Sequence, residues 1–204
     1  MDMTKPRTDP RIVRTRQLIR DAFVELLEEI DIEKISVNRL AERATINRVT
    51  FYLHYRDIPD MLEKMADDMI GEIRRISNHT PVKPDAEEDA DWPVLVKLLE
   101  HIAEHANFYK VVLASRRIPI FTERLLKLLT GLVNEKIEGL GNDSYMSKAG
   151  IKKDIAIWYG SSALIGTIIA WLQNDMPYTP AFLTKQFSLL VPPIEGFQPI
   201  NNSS

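Results

Sequence analysis

The spacing of apolar residues along the chain is helical almost throughout. Over residues 11–29 and again over residues 61–73, large apolar side chains recur at intervals of three and four. No stretch alternates apolar and polar residues over the length of a strand. The pattern therefore predicts an all-α protein. The two stripes consist of Ile19, Ala22, Phe23, Leu26, Leu27 and Ile30, and of Met61, Leu62, Met65, Met69, Ile70 and Ile73.

Two short helices are predicted between these stripes. Ser36 is a suitable N-cap for a helix that turns Val37, Leu40, Ala41 and Ala44 inward. After a turn at residues 45–46, Asn47 can cap a third helix that continues to Tyr55, and Pro59 suits the first turn of a fourth. Residues 36–55 therefore predict a helix-turn-helix, whose second helix can enter the major groove of DNA.

The rest of the chain is divided by its prolines and charges. An acidic, proline-containing stretch over residues 78–93 has little apolar material to bury, which indicates a connection between two domains. We predict a helix-turn-helix domain at 13–73, a helical C-terminal domain at 74–191 and a disordered tail at 192–204. The C-terminal helices are predicted near 94–105, 107–116, 120–139, 149–174 and 180–191.

Composition excludes several functional classes. The 204 residues include no cysteine, which rules out disulfides, cysteine-ligated metals and thiol nucleophiles in this chain. The net charge of -3 gives no overall sign of nucleic-acid binding, but residues 1–20 carry six basic and two acidic side chains. The arginines among them can form a solvated face or contact phosphates. The polar N-terminus lacks the apolar core of a signal peptide, so we expect a cytoplasmic protein.

The helix-turn-helix segment also resembles a known family. Over about residues 11–73, the chain is similar to the TetR/AcrR family of bacterial transcriptional regulators. The resemblance rests on Ala41, Ala44, Ile46, Asn47, Thr50, Tyr52, His54 and Tyr55, followed by Arg56-Asp57 and Met61-Leu62. The late stretch with Trp158-Tyr159, Gly166, Trp171 and residues 174–178 looks like one subgroup, associated with a dihydroxyacetone-linked regulator.

The resemblance implies a homodimer that binds a palindromic operator in double-stranded DNA and responds to a small-molecule effector without a cofactor. Members of the family commonly repress transcription. The resemblance to the subgroup leaves activation or co-activation of transcription as an alternative. Two residues depart from the family pattern. Thr45 stands in the turn, where glycine is usual, and Ile58 replaces a common phosphate-contacting lysine, whose role Arg56 can take over.

Donor and acceptor chemistry assigns roles to the exposed side of the motif. Arg48 can present a bidentate fork to guanine, and Asn38 can pair with adenine in the same way. Hydroxyl and imidazole groups suit phosphate oxygens, which fix the position of the protein without reading sequence. An alternative for Tyr52 and His54 is that they close the core of the small domain. The predicted DNA-binding residues are Ser36, Asn38, Asn47, Arg48, Thr50, Tyr52, His54 and Arg56.

Residues 155–174 form an uncharged run as long as a membrane span. Its serine, threonine, tyrosine and glutamine side chains favour a buried helix, so we expect no membrane. The small residues Ser162 and Gly166 allow another backbone to approach closely. In the family this helix and the last one form a four-helix interface with a second subunit. The predicted interface residues are Ser162, Ile165, Gly166, Ile169 and Leu172.

Two further patterns have competing interpretations. The sequence HIAEH at 101–105 matches a zinc-protease pattern, so a metal-dependent helical enzyme using His101 and His105 is the remote alternative. Because no distant third ligand is evident, we expect neither a metal nor catalysis. The aromatic residues of the C-terminal half are either core or the lining of an effector pocket. The candidate pocket residues are His101, His105, Phe108, Tyr109, Arg116, Phe121, Trp158 and Tyr159.

Overall fold

The computed structural model describes residues 9–78, 92–114, 118–140 and 149–190, and within these ranges every regular element is a helix. This confirms the all-α prediction. A single 3-10 turn, Ile32–Lys34, lies between the first two α-helices. The α-helices are α1 (Pro10–Glu29), α2 (Val37–Arg43), α3 (Arg48–Tyr52), α4 (Ile58–Asn78), α5 (Pro93–Glu104), α6 (Ala106–Ala114), α7 (Pro119–Leu140), α8 (Lys153–Gln173) and α9 (Pro180–Leu190).

The predicted caps set the start of the short helices. The Ser36 hydroxyl accepts a hydrogen bond from the Arg39 amide at 3.4 Å, and the Asn47 side-chain oxygen accepts one from the Val49 amide at 2.8 Å. The third helix ends at Tyr52 and not, as predicted, at Tyr55. Beyond Tyr52 the α-helical bonding is not continued regularly. The His54 amide donates to the Phe51 carbonyl, three residues earlier, at 3.0 Å, as in a 3-10 turn.

One continuous hydrophobic core connects the two predicted domains. Helix α1 packs on α2 and α6, while α4 packs on α5 and α7. Helix α4 continues to Asn78, past the predicted boundary at residue 73, and therefore reaches the C-terminal helices. The helix-turn-helix half and the C-terminal half thus share packed side chains. Among the fully buried ones are Ile19, Phe23, Leu40, Phe51, Met61, Met65, Leu95, Leu98, Tyr109 and Phe121.

The arginines of α1 are divided between two environments. Arg16 lies 3.6 Å from Asp68 and Arg20 lies 3.4 Å from Glu72, so both side chains pair with acids on α4. Arg11 and Arg14 are exposed. The expectation of a basic patch for phosphates therefore applies to the start of α1 alone.

Helix α8 has one face in the core and one face exposed. It begins at Lys153 and not at residue 149, and its inner side buries Leu164, Ile168 and Trp171. The Trp171 indole donates a hydrogen bond to the Tyr178 carbonyl at 2.9 Å, which fixes the turn after the helix. By length and composition α8 is also a candidate membrane span, with 33% of its most apolar window buried. The predicted connection at 78–93 is described at its ends alone, where Asn78 closes α4 and Pro93 begins α5. Its residues 79–91 lie outside the described residues, as do Arg116 and the tail at 192–204.

Candidate DNA-binding surface

The turn between α2 and α3 requires a left-handed residue. Thr45 has φ 54°, and its amide donates to the Glu42 carbonyl at 3.1 Å, while the Ile46 amide donates to the Ala41 carbonyl at 2.9 Å. These two bonds form a Schellman motif, which usually places glycine at this position. A β-branched residue there is strained. The turn therefore fixes the angle between the two helices at a cost in stability.

Replacing Thr45 with glycine should stabilise the protein. Because glycine adopts positive φ without a steric penalty, we expect Thr45→Gly to raise the free energy of unfolding by about 1 kcal/mol. Urea denaturation followed by circular dichroism measures this change. Thr130→Gly, within α7, is the matched control and should lower the stability by roughly 0.3 kcal/mol or more, since its backbone is helical and glycine is the poorer helix former. A loss of stability in Thr45→Gly would contradict the strain argument.

Helix α3 presents one side to the core and one to solvent. Phe51 and the following Tyr55 are buried, and both are part of the hydrophobic core. On the other side, Val49 is 67% and Leu53 is 77% exposed. Sequence reasoning missed these two residues because it searched for polar side chains. Their spacing of four, out of step with Phe51 and Tyr55, was the signal that could have found them.

Arg48 and Tyr52 form a pair on the exposed side of α3. The Arg48 guanidinium donates to the Tyr52 hydroxyl at 3.1 Å and lies 5.5 Å from the centre of its ring. This contact holds both side chains on the outer surface, with Tyr52 46% exposed. Asn47 is exposed as well, but its side-chain oxygen caps the helix, so its amide hydrogens are what it can offer to DNA.

The remaining predicted contacts near α3 are less accessible. Thr50 and His54 are half-buried. Burial, followed by the charges of Arg16 and Lys64, lowers the pKa of His54, so a neutral imidazole faces the surface at neutral pH. The exposed Arg56 side chain is held by Asp60, 3.1 Å from its carboxylate. Each of these groups retains an N–H or O–H donor suited to a phosphate oxygen.

Helix α2 contributes the other predicted residues. Asn38 is exposed on its first turn, next to Arg39, whose guanidinium donates to the Lys34 carbonyl at 3.0 Å. The Ser36 hydroxyl is engaged as the N-cap. The exposed residues of α2 and α3 together form the surface that we call the recognition face, defined by Asn38, Asn47, Arg48, Val49, Tyr52 and Leu53.

The candidate effector pocket is not brought together as predicted. Phe108, Tyr109 and Phe121 are buried in the core, whereas Trp158 and Tyr159 are 63% and 77% exposed on α8. The prediction that these aromatic residues line a single pocket is therefore wrong, because the first group lies in the core and the second on the outer surface. His101 is buried and His105 exposed, with ring centres 4.7 Å apart. Burial lowers the pKa of His101.

The predicted interface residues also divide between two sides of α8. Ser162 and Gly166 are exposed. Apart from the adjacent turns of α8 itself, no atom of the described residues lies within 4 Å of the position that a Cβ atom on Gly166 would occupy. Ile169 is half-buried. Ile165 and Leu172 are buried in the core of their own chain, so their assignment to an interface is corrected. The exposed face of α8 consists of Ile155, Trp158, Tyr159, Ser162, Ala163, Gly166 and Ala170.

Comparison with known sequences identifies the C-terminal half. The family model TetR_C_8, a transcriptional regulator C-terminal region, matches residues 91–192, which is half of the chain. The uncharacterized HTH-type transcriptional regulator YxbF of Bacillus subtilis is 35% identical over 66 residues, 32% of this chain and 17% of that protein. The class G tetracycline repressor protein of Vibrio anguillarum is 29% identical over 96 residues, 47% of this chain and 40% of that repressor. The matches thus span less than half of these curated relatives.

Solved structures share the fold over most of the chain. The dihydroxyacetone kinase operon activator DhaS superimposes with a TM-score of 0.58 at 19% identity, covering 88% of this chain and 94% of DhaS. The fatty acid degradation regulator FadR from Bacillus halodurans gives a TM-score of 0.62 at 19% identity, covering 94% of this chain and all of FadR. At such identities the likeness concerns the fold alone. With half of its length matched by the TetR_C_8 model, the chain belongs to the TetR family of transcriptional regulators.

Proposed function

We propose that this chain is a homodimeric repressor that binds a palindromic DNA operator and releases it when a small-molecule effector binds. The observation that supports this most strongly is the recognition face, where Arg48 and Tyr52 project from a helix whose other side is buried. Family membership favours such a regulator over an enzyme. A protein of this kind acts on the chromosome, which corresponds to the cytoplasmic location expected from the sequence.

Arg48 is the residue that we assign to base recognition. A guanidinium offers two parallel N–H groups, which match O6 and N7 of guanine. Arg48 is exposed and supported by the Tyr52 ring, so its side chain is partly ordered before DNA binds. The exposed Val49 supplies an apolar surface of the kind that contacts the methyl group of thymine. Thr50, His54 and Arg56 are assigned to phosphates.

Dimerisation supplies the second recognition helix. A palindromic operator needs two such helices about 34–36 Å apart, which a two-fold symmetric dimer provides. The exposed aromatic and small residues of α8, with Phe182, Leu189 and Leu190 on α9, form an apolar surface suited to a second copy. An effector would act through its different affinity for the DNA-binding and the DNA-free arrangement of the subunits.

Selection of bound sites from random DNA, followed by binding measurements with Arg48→Ala, tests the proposal. We expect the wild-type protein to select a palindrome. Loss of a bidentate contact to guanine should weaken binding by about 1–3 kcal/mol per half-site and relax the preference at one base pair. Fluorescence anisotropy with the selected site and with single-base variants measures both effects.

Arg74→Ala is the matched control, because Arg74 is an exposed arginine on α4. It lies 16 residues beyond Ile58, or about 24 Å along the helix axis, away from α3. We expect it to bind the selected site like the wild type. Equal affinities of Arg48→Ala and the wild type would refute the assignment of Arg48, and selection of no sequence at all would refute the proposed function.

A further inference from the structure

A cluster of three potential metal ligands lies at the end of α5. His101, Glu104 and His105 each offer one ligand atom, and these atoms lie within 4.8 Å of one another. Residues three and four apart share one side of a helix, which explains why the two imidazoles and the carboxylate meet. The zinc-protease pattern at 101–105 contains Glu104. Sequence reasoning looked for a third ligand far along the chain and did not treat Glu104 as one.

The buried member of the cluster carries an unsatisfied polar atom. His101 is 6% exposed, and its Nε2 atom has no hydrogen-bond partner among the described residues. The same holds for the hydroxyl of Tyr109, whose ring centre lies 5.8 Å from that of His101. A buried polar atom without a partner costs about 1–3 kcal/mol. Such an atom beside two further ligands is therefore evidence for a bound group.

We propose that His101, Glu104 and His105 bind one divalent transition-metal ion of the Zn²⁺ class. Imidazole nitrogen favours Zn²⁺, Ni²⁺ and Cu²⁺ over Mg²⁺ and Ca²⁺, which prefer oxygen ligands. Two histidines and one glutamate form a known zinc-ligand set that leaves a fourth position for water or another molecule. No cysteine in the chain offers a softer alternative.

The geometry needs a small adjustment that the surface position allows. With bonds of about 2.0–2.2 Å, two ligand atoms of a tetrahedral zinc ion lie about 3.3–3.6 Å apart. The observed limit of 4.8 Å is larger, so the ligand atoms must move together by about 1 Å. Glu104 and His105 are exposed, so rotation of these two side chains can close the cluster around an ion while His101 stays fixed in the core.

The cluster lies beside the contacts between the DNA-binding half and the C-terminal half. Glu72 and Arg20 are electrostatic neighbours of His101. Arg20 also pairs with Glu72 at 3.4 Å and lies 5.2 Å from the centre of the Phe108 ring on α6. A doubly charged ion here would compete with Arg20 for Glu72. An effector role for the ion rests on the proposed function, whereas metal binding itself does not.

Spectroscopic titration of the tag-free, full-length protein with Co²⁺, followed by displacement with Zn²⁺, tests the site. We expect one equivalent to bind with the visible absorption of tetrahedral Co²⁺ coordinated by nitrogen and oxygen. The test variants are His105→Ala and Glu104→Gln, since both side chains are exposed and their replacement leaves the core intact. Each should weaken binding by at least about 10- to 100-fold.

Glu100→Gln is the matched control on the same helix, where Glu100 pairs with Lys97 at 2.8 Å and is outside the cluster. Its affinity for metal should equal that of the wild type. The metal site would be overturned if the wild-type protein bound metal no more tightly than His105→Ala. It would also be overturned if Glu100→Gln lost as much affinity for metal as the test variants. If the protein binds metal but its affinity for a selected operator is the same with and without the ion, the effector role alone is overturned. If the protein binds metal but selects no operator, the proposed function alone is overturned.

Discussion

Gly166→Arg is expected to convert the proposed dimer into a folded monomer that no longer binds its operator tightly. Gly166 lies on the exposed face of α8. No other element among the described parts of the chain comes within 4 Å of the position of a Cβ atom there, so one chain accommodates the arginine. The helix itself gains up to about 1 kcal/mol, because arginine is a better helix former than glycine. The effect should therefore appear in association and not in folding.

At a two-fold interface each substitution occurs twice. Two guanidinium groups would meet a surface of aromatic, aliphatic and small side chains. Burying an unpaired charge costs several kcal/mol, and every 1.4 kcal/mol is about a tenfold change, so dimer dissociation should become at least about 100-fold more favourable. Light scattering coupled to size exclusion measures the mass, and anisotropy measures operator affinity.

Gly131→Arg provides the comparison, because Gly131 is an exposed helical glycine on α7 with equally open surroundings. It should remain dimeric and bind DNA normally. If Gly166→Arg has the mass and affinity of the wild type, the second copy does not use this face of α8. If both variants become monomeric, the effect is not specific to the proposed interface.

Local signals explain why the helix-turn-helix could be predicted from sequence. Ser36 and Asn47 cap helices by short-range hydrogen bonds, and Phe51 and Tyr55, four positions apart, are both buried. The strain at Thr45 was also visible, since its position in the turn is normally occupied by glycine. Each of these features depends on residues within a few positions of one another.

Features that depend on tertiary packing could not be predicted from the sequence pattern. Helix α8 is apolar on all sides, so spacing alone could not tell that Ile165 faces the core while Gly166 faces solvent. The pairing of Arg20 with Glu72 joins residues 52 positions apart. Likewise, aromatic residues that fill a core and those that line a pocket have the same composition, which is why the candidate pocket was assembled wrongly.

Asp60 holds the connection between α3 and α4 in place. Its buried carboxylate accepts hydrogen bonds from Lys64 at 2.9 Å, from the Arg56 amide at 3.0 Å and from the Arg56 side chain at 3.2 Å. Lys64 also donates to the His54 carbonyl at 3.1 Å. Sequence reasoning did not identify Asp60, although Arg56 and Lys64 lie four positions before and after it. The spacing could not show that the carboxylate is buried.

Asp60→Asn is expected to lower Tm by roughly 3–6 °C at neutral pH, because an amide replaces a charge-assisted acceptor at a buried position. The hydrogen bonds from Lys64 and from the Arg56 amide lower the pKa of the Asp60 carboxyl to about 2. An unfolded aspartate has a pKa of about 3.9. The native carboxylate therefore stabilises the fold above pH ~4, and this stabilisation is lost as the pH falls from about 4 to about 2.

The difference in Tm between the wild type and Asp60→Asn should consequently be constant from neutral pH to about pH 5 and shrink steadily below about pH 4. Thermal unfolding followed by circular dichroism across this range measures it, and other acids titrate in both proteins and cancel in the difference. Asp68→Asn is the control, because Asp68 forms only a surface ion pair with Arg16 at 3.6 Å, and its Tm should change little. A difference as large at pH 2.5 as at neutral pH would mean that Asp60 acts through its shape and not its charge.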